Sequence, residues 1–198
     1  MKPMPEINSP ESIIVYGGSF NPLHMSHVLV HAALSAYFPL AQKWIVASYS
    51  HAFDKRLMDY ERRLSVLRSV FGQSPQTVVS DIEARIGKTP TYTIDVVRAI
   101  GELYPDRAVW IVGGSDLVAS LDKWHEIDEL RRMAKFVFFP RAGYEAPPSL
   151  DDAILPMIAL PELSSSEVRA AIARKDAARV RMLVPAAAYE DLVAHGDL

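Results

Sequence analysis

Cysteine is absent from the 198 residues. That excludes disulfides, thiolate metal sites and a cysteine nucleophile. Positive charge is not in excess either: the formal net charge is -3. General nucleic-acid binding would need a basic surface, so no nucleic-acid partner is expected. Any phosphate site must be a local cluster of positive groups on a mildly acidic body. No apolar run approaches the roughly 20 residues that span a bilayer, so no membrane association is expected. Residues 1–11 hold prolines and acids where a secretory signal would have an apolar core. Internal repeats and low-complexity tracts are missing too. What is there, 49% apolar and 23% charged residues, suits a globular protein with a real core. The length is that of one domain, or one domain with a small appendage. A cytoplasmic protein is the expectation. The oligomeric state is left open, a homo-oligomer included.

Residues 1–11 read as a loose lead. Ser12–Tyr16 is a short β-rich run ending at Gly17-Gly18 and reads as a buried strand. Val28, Leu29, Ala32 and Ala36 recur at helical spacing within His24–Phe38. Trp44–Ala47 reads as a strand, Tyr60–Phe71 as a helix, Thr77–Val79 as a strand and Thr93–Leu103 as a helix. Ala108–Val112 is a strand ending at Gly113-Gly114, followed by a helix at His125–Met133 and a strand at Phe136–Phe139. This alternation predicts an α/β fold with a doubly wound, mainly parallel sheet over residues 12–160. Glu145–Asp152 is a proline-rich loop, and Met157–Leu160 reads as a sixth strand. Residues 161–198 read as a small helical appendage. Ser164 and Glu167 fit a capping box there, and Pro185 and Gly196 suit the start and end of a last helix.

Open parallel sheets hold ligands at the carboxyl ends of their strands, where strand order reverses. Two such ends carry paired glycines. After the first, Gly17-Gly18-Ser19-Phe20-Asn21-Pro22-Leu23-His24-Met25-Ser26-His27 joins a glycine turn to a helix start. Glycines let a backbone approach a ligand closely and adopt angles barred to other residues. A helix N-terminus offers unpaired N–H groups and the positive end of its dipole. His24 and His27 share one side of the first turn. The pattern describes an anion site with two imidazoles added. Two other readings stay open: a metal face of His24, His27 and His31 with few further ligands on offer, and simple surface or capping histidines.

The whole string resembles the GGSFDPxHxGH signature of the nucleotidyltransferases with a His-x-Gly-His motif. Val112–Asp116 is similar to that superfamily's G-x-D-[SL] strand end, and Leu163–Arg169 to its ISSTxIR motif. Thr89–Thr93 resembles the PSYT segment of bacterial nicotinate-mononucleotide adenylyltransferases, Lys123-Trp124 their K-W pair, and Phe136–Tyr144 their R-P-G-Y strand exit. These matches run in order from about residue 12 to 170. The resemblance implies a Rossmann-like fold and adenylyl transfer from ATP to nicotinate mononucleotide, with Mg²⁺ held mainly by the ATP phosphates and no metal site built from protein ligands. Nicotinamide mononucleotide or phosphopantetheine as acceptor, or a nucleotide sensor without turnover, are the alternatives.

The resemblance also implies site residues. His24, His27, Lys55 and Arg169 would be catalytic. Gly17, Gly18, Ser19, Phe20, Gly113, Asp116, Ser165 and Ser166 would bind ATP, with Asp116 on ribose hydroxyls; from spacing alone Asp116 is equally a helix cap. Ser19, Tyr92, Thr93 and Trp124 would bind the mononucleotide, Trp124 as ring platform and the Tyr92–Thr93 loop as donor of N–H groups. Three departures stand out. Ser26 replaces the motif glycine, so Ser26→Gly is expected to keep or raise activity. Ser166 replaces threonine and keeps the hydroxyl. Residues 48–55 lack the usual proline-rich segment but retain His51 and Lys55.

Overall fold

Side chains alternate along each of the central strands, and each parity joins a different core. In β1 (Ser12–Gly18), Ile14 and Tyr16 enter one buried cluster while Ile13 and Val15 enter the other. The same split separates Ile45 and Ala47 from Trp44 and Val46 in β2 (Gln42–Ala47). It separates Trp110 and Val112 from Val109 and Ile111 in β4 (Ala108–Gly114). It separates Val137 and Phe139 from Phe136 and Phe138 in β5 (Ala134–Phe139). A strand apolar on both faces must be covered on both. Each buried Leu, Ile, Val or Phe contributes about 1.5–3 kcal/mol, so neither layer is dispensable.

The computed structural model describes residues 7–49, 57–140, 153–154 and 161–198. With β3 (Thr77–Ser80) and β6 (Ala153–Ile154), the described strands form one sheet of order β3-β2-β1-β4-β5-β6. Every described pairing is parallel. This is the doubly wound topology expected from the sequence, and its order reverses between β1 and β4. The expected sixth strand at Met157–Leu160 and the proline-rich loop at Glu145–Asp152 lie outside the described residues.

One face carries α1 (Met25–Tyr37) and α2 (Tyr60–Phe71) together with α6 (Ser165–Ala173), α7 (Ala177–Leu183) and α8 (Ala186–Ala194). Val168, Ala171, Val180, Leu183 and Leu192 of the last three share a cluster with Leu34, Leu64, Leu67 and Phe71. Arg62 of α2 bonds Asp191 at 2.7 Å and Asp197 at 2.5 Å, closing that packing from outside. The other face carries α3 (Ile82–Ile86), α4 (Thr93–Leu103), a 3-10 helix (Ser115–Lys123) and α5 (Ile127–Met133). No described helix is long and apolar enough to cross a membrane.

Where element bounds differ from the sequence reading, hydrogen bonding explains it. β1 and β4 continue through their glycines because the ladder does: Gly18 pairs Ala47, and Gly114 pairs Phe139. α3 and the 3-10 helix were not anticipated, being too short or too tightly wound to show a 3.6-residue period. Pro185 is the N-cap of α8 instead of a first-turn residue. Gly196 has φ 72° just past α8, the left-handed closing position that favours glycine.

Two basic groups lie buried between α1 and the sheet. Lys43 is 1% exposed, and its Nζ donates to the Phe38 carbonyl at 3.4 Å. The His31 ring packs on Phe71, with Nε2 2.9 Å from Thr77 Oγ1. Burial, and then the charge of Lys43, lower the His31 pKa to about 4. Its folded value lies below its unfolded one, so neutral His31 supports the fold above pH about 6.5, and that support is lost as pH falls through about 4. His31→Gln should therefore lose less stability than the parent chain between pH about 7 and about 4.5, measured by urea midpoints. Equal losses would show that His31 does not drive the acid sensitivity.

Candidate active site

At the reversal point, the segments leaving β1 and β4 turn to opposite faces and leave a cavity of about 160 Å³. Tyr16, Gly17, His24 and His27 line one lip, and Gly113 and Asp116 line the other. Two stretches far apart in sequence thus converge because neighbouring parallel strands end on the same edge.

The expected role of the paired glycines needs correction. Gly17 and Gly18 are not among the residues at positive φ, so no unusual backbone angle calls for them. Gly17 is exposed, with open space where a Cβ would sit. A Cβ on Gly18 would lie 3.3 Å from the Phe20 ring, so Gly18 makes room for that ring. Phe20 itself bears the strained angle, φ 45°, costly for a bulky residue. Its ring is 1% exposed and meets Tyr16 and His27 edge-on, at 5.7 and 4.9 Å between centroids. Packing of that ring holds the turn.

His24 is the N-cap of α1 and is 3% exposed. Its backbone N–H donates to His27 Nδ1 at 3.2 Å, and the two rings stack at 3.6 Å. A nitrogen that accepts carries no proton, so the His27 proton sits on Nε2 and makes that nitrogen a donor. His31 does not join them; its ring lies against Phe71. Among the described residues no three His, Asp or Glu side chains gather as a metal site.

The start of α6 docks across the same turn. Ser165 Oγ donates to the Pro22 carbonyl at 3.1 Å, and Arg169 Nη1 to the Asn21 carbonyl at 2.7 Å. Arg169 Nη2 donates to Ser166 Oγ at 2.8 Å. Ser26 Oγ donates to the Pro161 carbonyl at 3.2 Å. Ser164 caps α6 as expected, accepting from the Glu167 N–H at 3.3 Å. The reciprocal half of the expected capping box is replaced by an ion pair, Glu167 Oε1 taking Arg179 at 2.7 Å.

Tyr92, Thr93 and Trp124 form a second group at the same sheet edge. Tyr92 is the N-cap of α4, and its ring stacks on His125 at 4.2 Å, beside Trp124 in sequence. Trp124 is half-buried against the core on the α4 face. The expected pair of free N–H donors is reduced. Tyr92 N–H is taken by Asp95 Oδ2 at 3.0 Å, while Asp95 Oδ1 takes Lys88 at 2.5 Å. Thr93, first residue of α4, has an N–H without an intrahelical acceptor. His125 was not singled out in the sequence; only the stacking contact reveals it.

Lys55 lies outside the described residues. A different cation, missed in the sequence, braces the turn after β1. Arg63, in the first turn of α2, is 2% exposed and donates to the carbonyls of Ser19, Ser48 and Met58 at 2.9, 2.9 and 3.0 Å. It ties the turn after β1 to the end of β2. Asn21 Oδ1 reinforces the tie, accepting from Met58 N–H at 2.9 Å. Nearby Glu83 accepts Tyr49 N–H at 2.8 Å; burial raises its pKa to about 7, against the pull of that N–H and of Arg63. Only a leucine-like periodicity surrounds Arg63 in the sequence, so nothing local marks it as buried. Arg63→Met should cost roughly 3 kcal/mol or more in urea unfolding, because several carbonyls lose their donor at once. A cost below about 1 kcal/mol would mean that water replaces the guanidinium.

Comparison with known proteins agrees with this geometry. The cytidylyltransferase-like family model matches residues 15–171. A "Probable nicotinate-nucleotide adenylyltransferase" of Shouchella clausii (strain KSM-K16) is 32% identical over 162 residues, covering 81% of this chain and 83% of that one. One of the same description from Anaeromyxobacter dehalogenans (strain 2CP-1 / ATCC BAA-258) is 29% identical over 175 residues, covering 87% and 89%. In fold, the chain superposes with a TM-score of 0.80 on the nicotinic acid mononucleotide adenylyltransferase of Plasmodium falciparum complexed with NaAD. That match has 22% identity and covers 94% of this chain and 96% of the other. The chain belongs to the cytidylyltransferase-like nucleotidyltransferases and, within them, to the nicotinate-nucleotide adenylyltransferases.

Proposed function

We propose that this protein transfers AMP from ATP to nicotinate mononucleotide, forming the deamido dinucleotide and releasing pyrophosphate. The observation that carries the reading is the convergence, at the β1/β4 reversal, of the stacked His24–His27 pair with the docked start of α6. A 5′-phosphate oxygen of the mononucleotide attacks the α-phosphorus of ATP, and the bond to the β-phosphate oxygen breaks. That nucleophile already carries charge, its second pKa being near 6, so no general base is required. The protein must supply alignment and donors for charge that grows on the phosphates. In this reading His27 Nε2–H, His24 and the N–H groups opening α1 meet the α-phosphate. Arg169, with the start of α6, meets the β- and γ-phosphates in place of the Asn21 carbonyl. Gly17 and Gly113 leave the backbone open to the nucleotide, and Asp116 takes ribose hydroxyls. Mg²⁺ would travel on the triphosphate and neutralise it; a lip with Asp116 as its one carboxylate suits an ion held by substrate and water.

For the pyridine ring, the reading uses the wall made by Trp124 and the Tyr92–His125 stack, with the ring's carboxylate at the N-terminus of α4. The Thr93 N–H, which has no intrahelical acceptor, and the helix dipole favour an anion there. The amide would turn either its single acceptor or its NH₂ donor to that N–H, and it has no charge to gain from the dipole.

Four measurements test this. ATP, Mg²⁺ and each mononucleotide should yield pyrophosphate and the dinucleotide; ATP binding without turnover of any acceptor would favour a nucleotide sensor. His27→Ala should lower kcat about a hundredfold or more with the fold intact, since its donor serves charge that develops in the transition state. An unchanged kcat would remove His27 from the reaction. The acid form should exceed the amide form about tenfold or more in kcat/KM. Trp124→Ala should weaken both mononucleotides alike, because stacking reads the ring. Equal kcat/KM for acid and amide would overturn the selector at α4.

A further inference from the structure

Ser26 occupies the second position of α1, between His24 and His27, and is 3% exposed. Burial of a hydroxyl is costly unless it is bonded, and this one donates across 135 residues of sequence to the Pro161 carbonyl at 3.2 Å. Pro161 also accepts Leu163 N–H at 2.8 Å, so its carbonyl anchors the turn that leads into α6. Two further bonds dock α6, from Ser165 to Pro22 and from Arg169 to Asn21. Both of those donors belong to the group assigned above to phosphate. When phosphate takes Arg169, the bond from Ser26 still holds the turn, because its donor lies on α1 and its acceptor ahead of α6. A glycine at this position has no donor to give.

We propose that Ser26 is a positioning residue for the nucleotide phosphates: its hydroxyl holds the start of α6 beside the His24–His27 turn before ATP arrives. The inference rests on the reading that α6 meets the triphosphate. A site assembled only part of the time binds more weakly in proportion to the fraction assembled. The effect therefore belongs to ATP binding and leaves the acceptor and the saturated rate alone. It reverses the sign expected for Ser26→Gly from the motif alone.

The test compares Ser26→Ala, Ser26→Gly and Ser26→Thr with the parent chain. Alanine and glycine should raise the Kd for ATP by calorimetry, and the KM for ATP, about two- to tenfold, the worth of one hydrogen bond. The KM for the mononucleotide and kcat should stay put, and threonine, which keeps the hydroxyl, should restore ATP binding. In the nucleotide-free protein, amide exchange over residues 163–169 should quicken in Ser26→Ala while exchange in β1 does not. Unchanged α6 exchange, or an unchanged Kd for ATP, overturns the proposal, as does an equal loss for both substrates. Failure of the proposed reaction looks different: the parent chain would bind ATP and turn over no acceptor, and the Kd comparison would still decide the role of Ser26.

Discussion

Parallel pairing of β1 with β2 on one side and β4 on the other is the constraint from which the site follows. Parallel neighbours cannot be joined by a tight turn, so each connection must cross a face of the sheet, and every strand ends on the same edge. At β1 and β4 the connections leave for opposite faces. Among the described residues, the gap between them is lined mainly by what those two strand ends bring. Gly17 and Gly113 stand opposite one another for that reason, and His24, His27 and Asp116 follow within a few residues. The two cores, one per face, keep this edge rigid enough for a turn as strained as Phe20 to persist.

On a chain of net charge -3, the proposed phosphate site has no broad positive surface to draw on. In that reading it relies on directed N–H groups and few full charges. The two arginines nearest the turn show how burial divides their tasks. Arg63 and Arg169 both donate to backbone carbonyls of residues 19–21. Arg63 is sealed beneath the turn, where exchanging a carbonyl for water or ligand would leave buried acceptors bare. Arg169 is exposed, so in the proposed reading exchanging the Asn21 carbonyl for a phosphate would cost it little and gain a charge-assisted pair. The buried arginine holds the turn in place; the exposed one is the arginine proposed to answer a ligand.

Two hydrogen bonds within or beside the family's motifs also carry physical content. Ser26 converts a position of bare backbone into a link between α1 and the turn that opens α6. Asp95 takes the Tyr92 N–H, so the acid selector proposed at α4 is narrower than a loop of free donors. Both facts concern hydrogen bonds already satisfied within the protein, which a motif match has no means of reporting.

The sequence by itself determined the α/β class, most strand and helix cores, and the place of the turn between β1 and α1. Period-2 and period-3.6 patterns are local consequences of burial, and a strand–glycine–helix string is local as well. Ser164 as cap of α6 and Gly196 as end of α8 belong with these, since each acts on its own helix. Tertiary structure alone decided which donors are spent and which remain. Glu167 left its own helix for Arg179, Arg63 was buried under Ser19 and Ser48, and His125 was drawn onto Tyr92. Each partner lies 12 to 44 residues away. No periodicity within one element encodes a contact made by two elements meeting at the edge of a sheet.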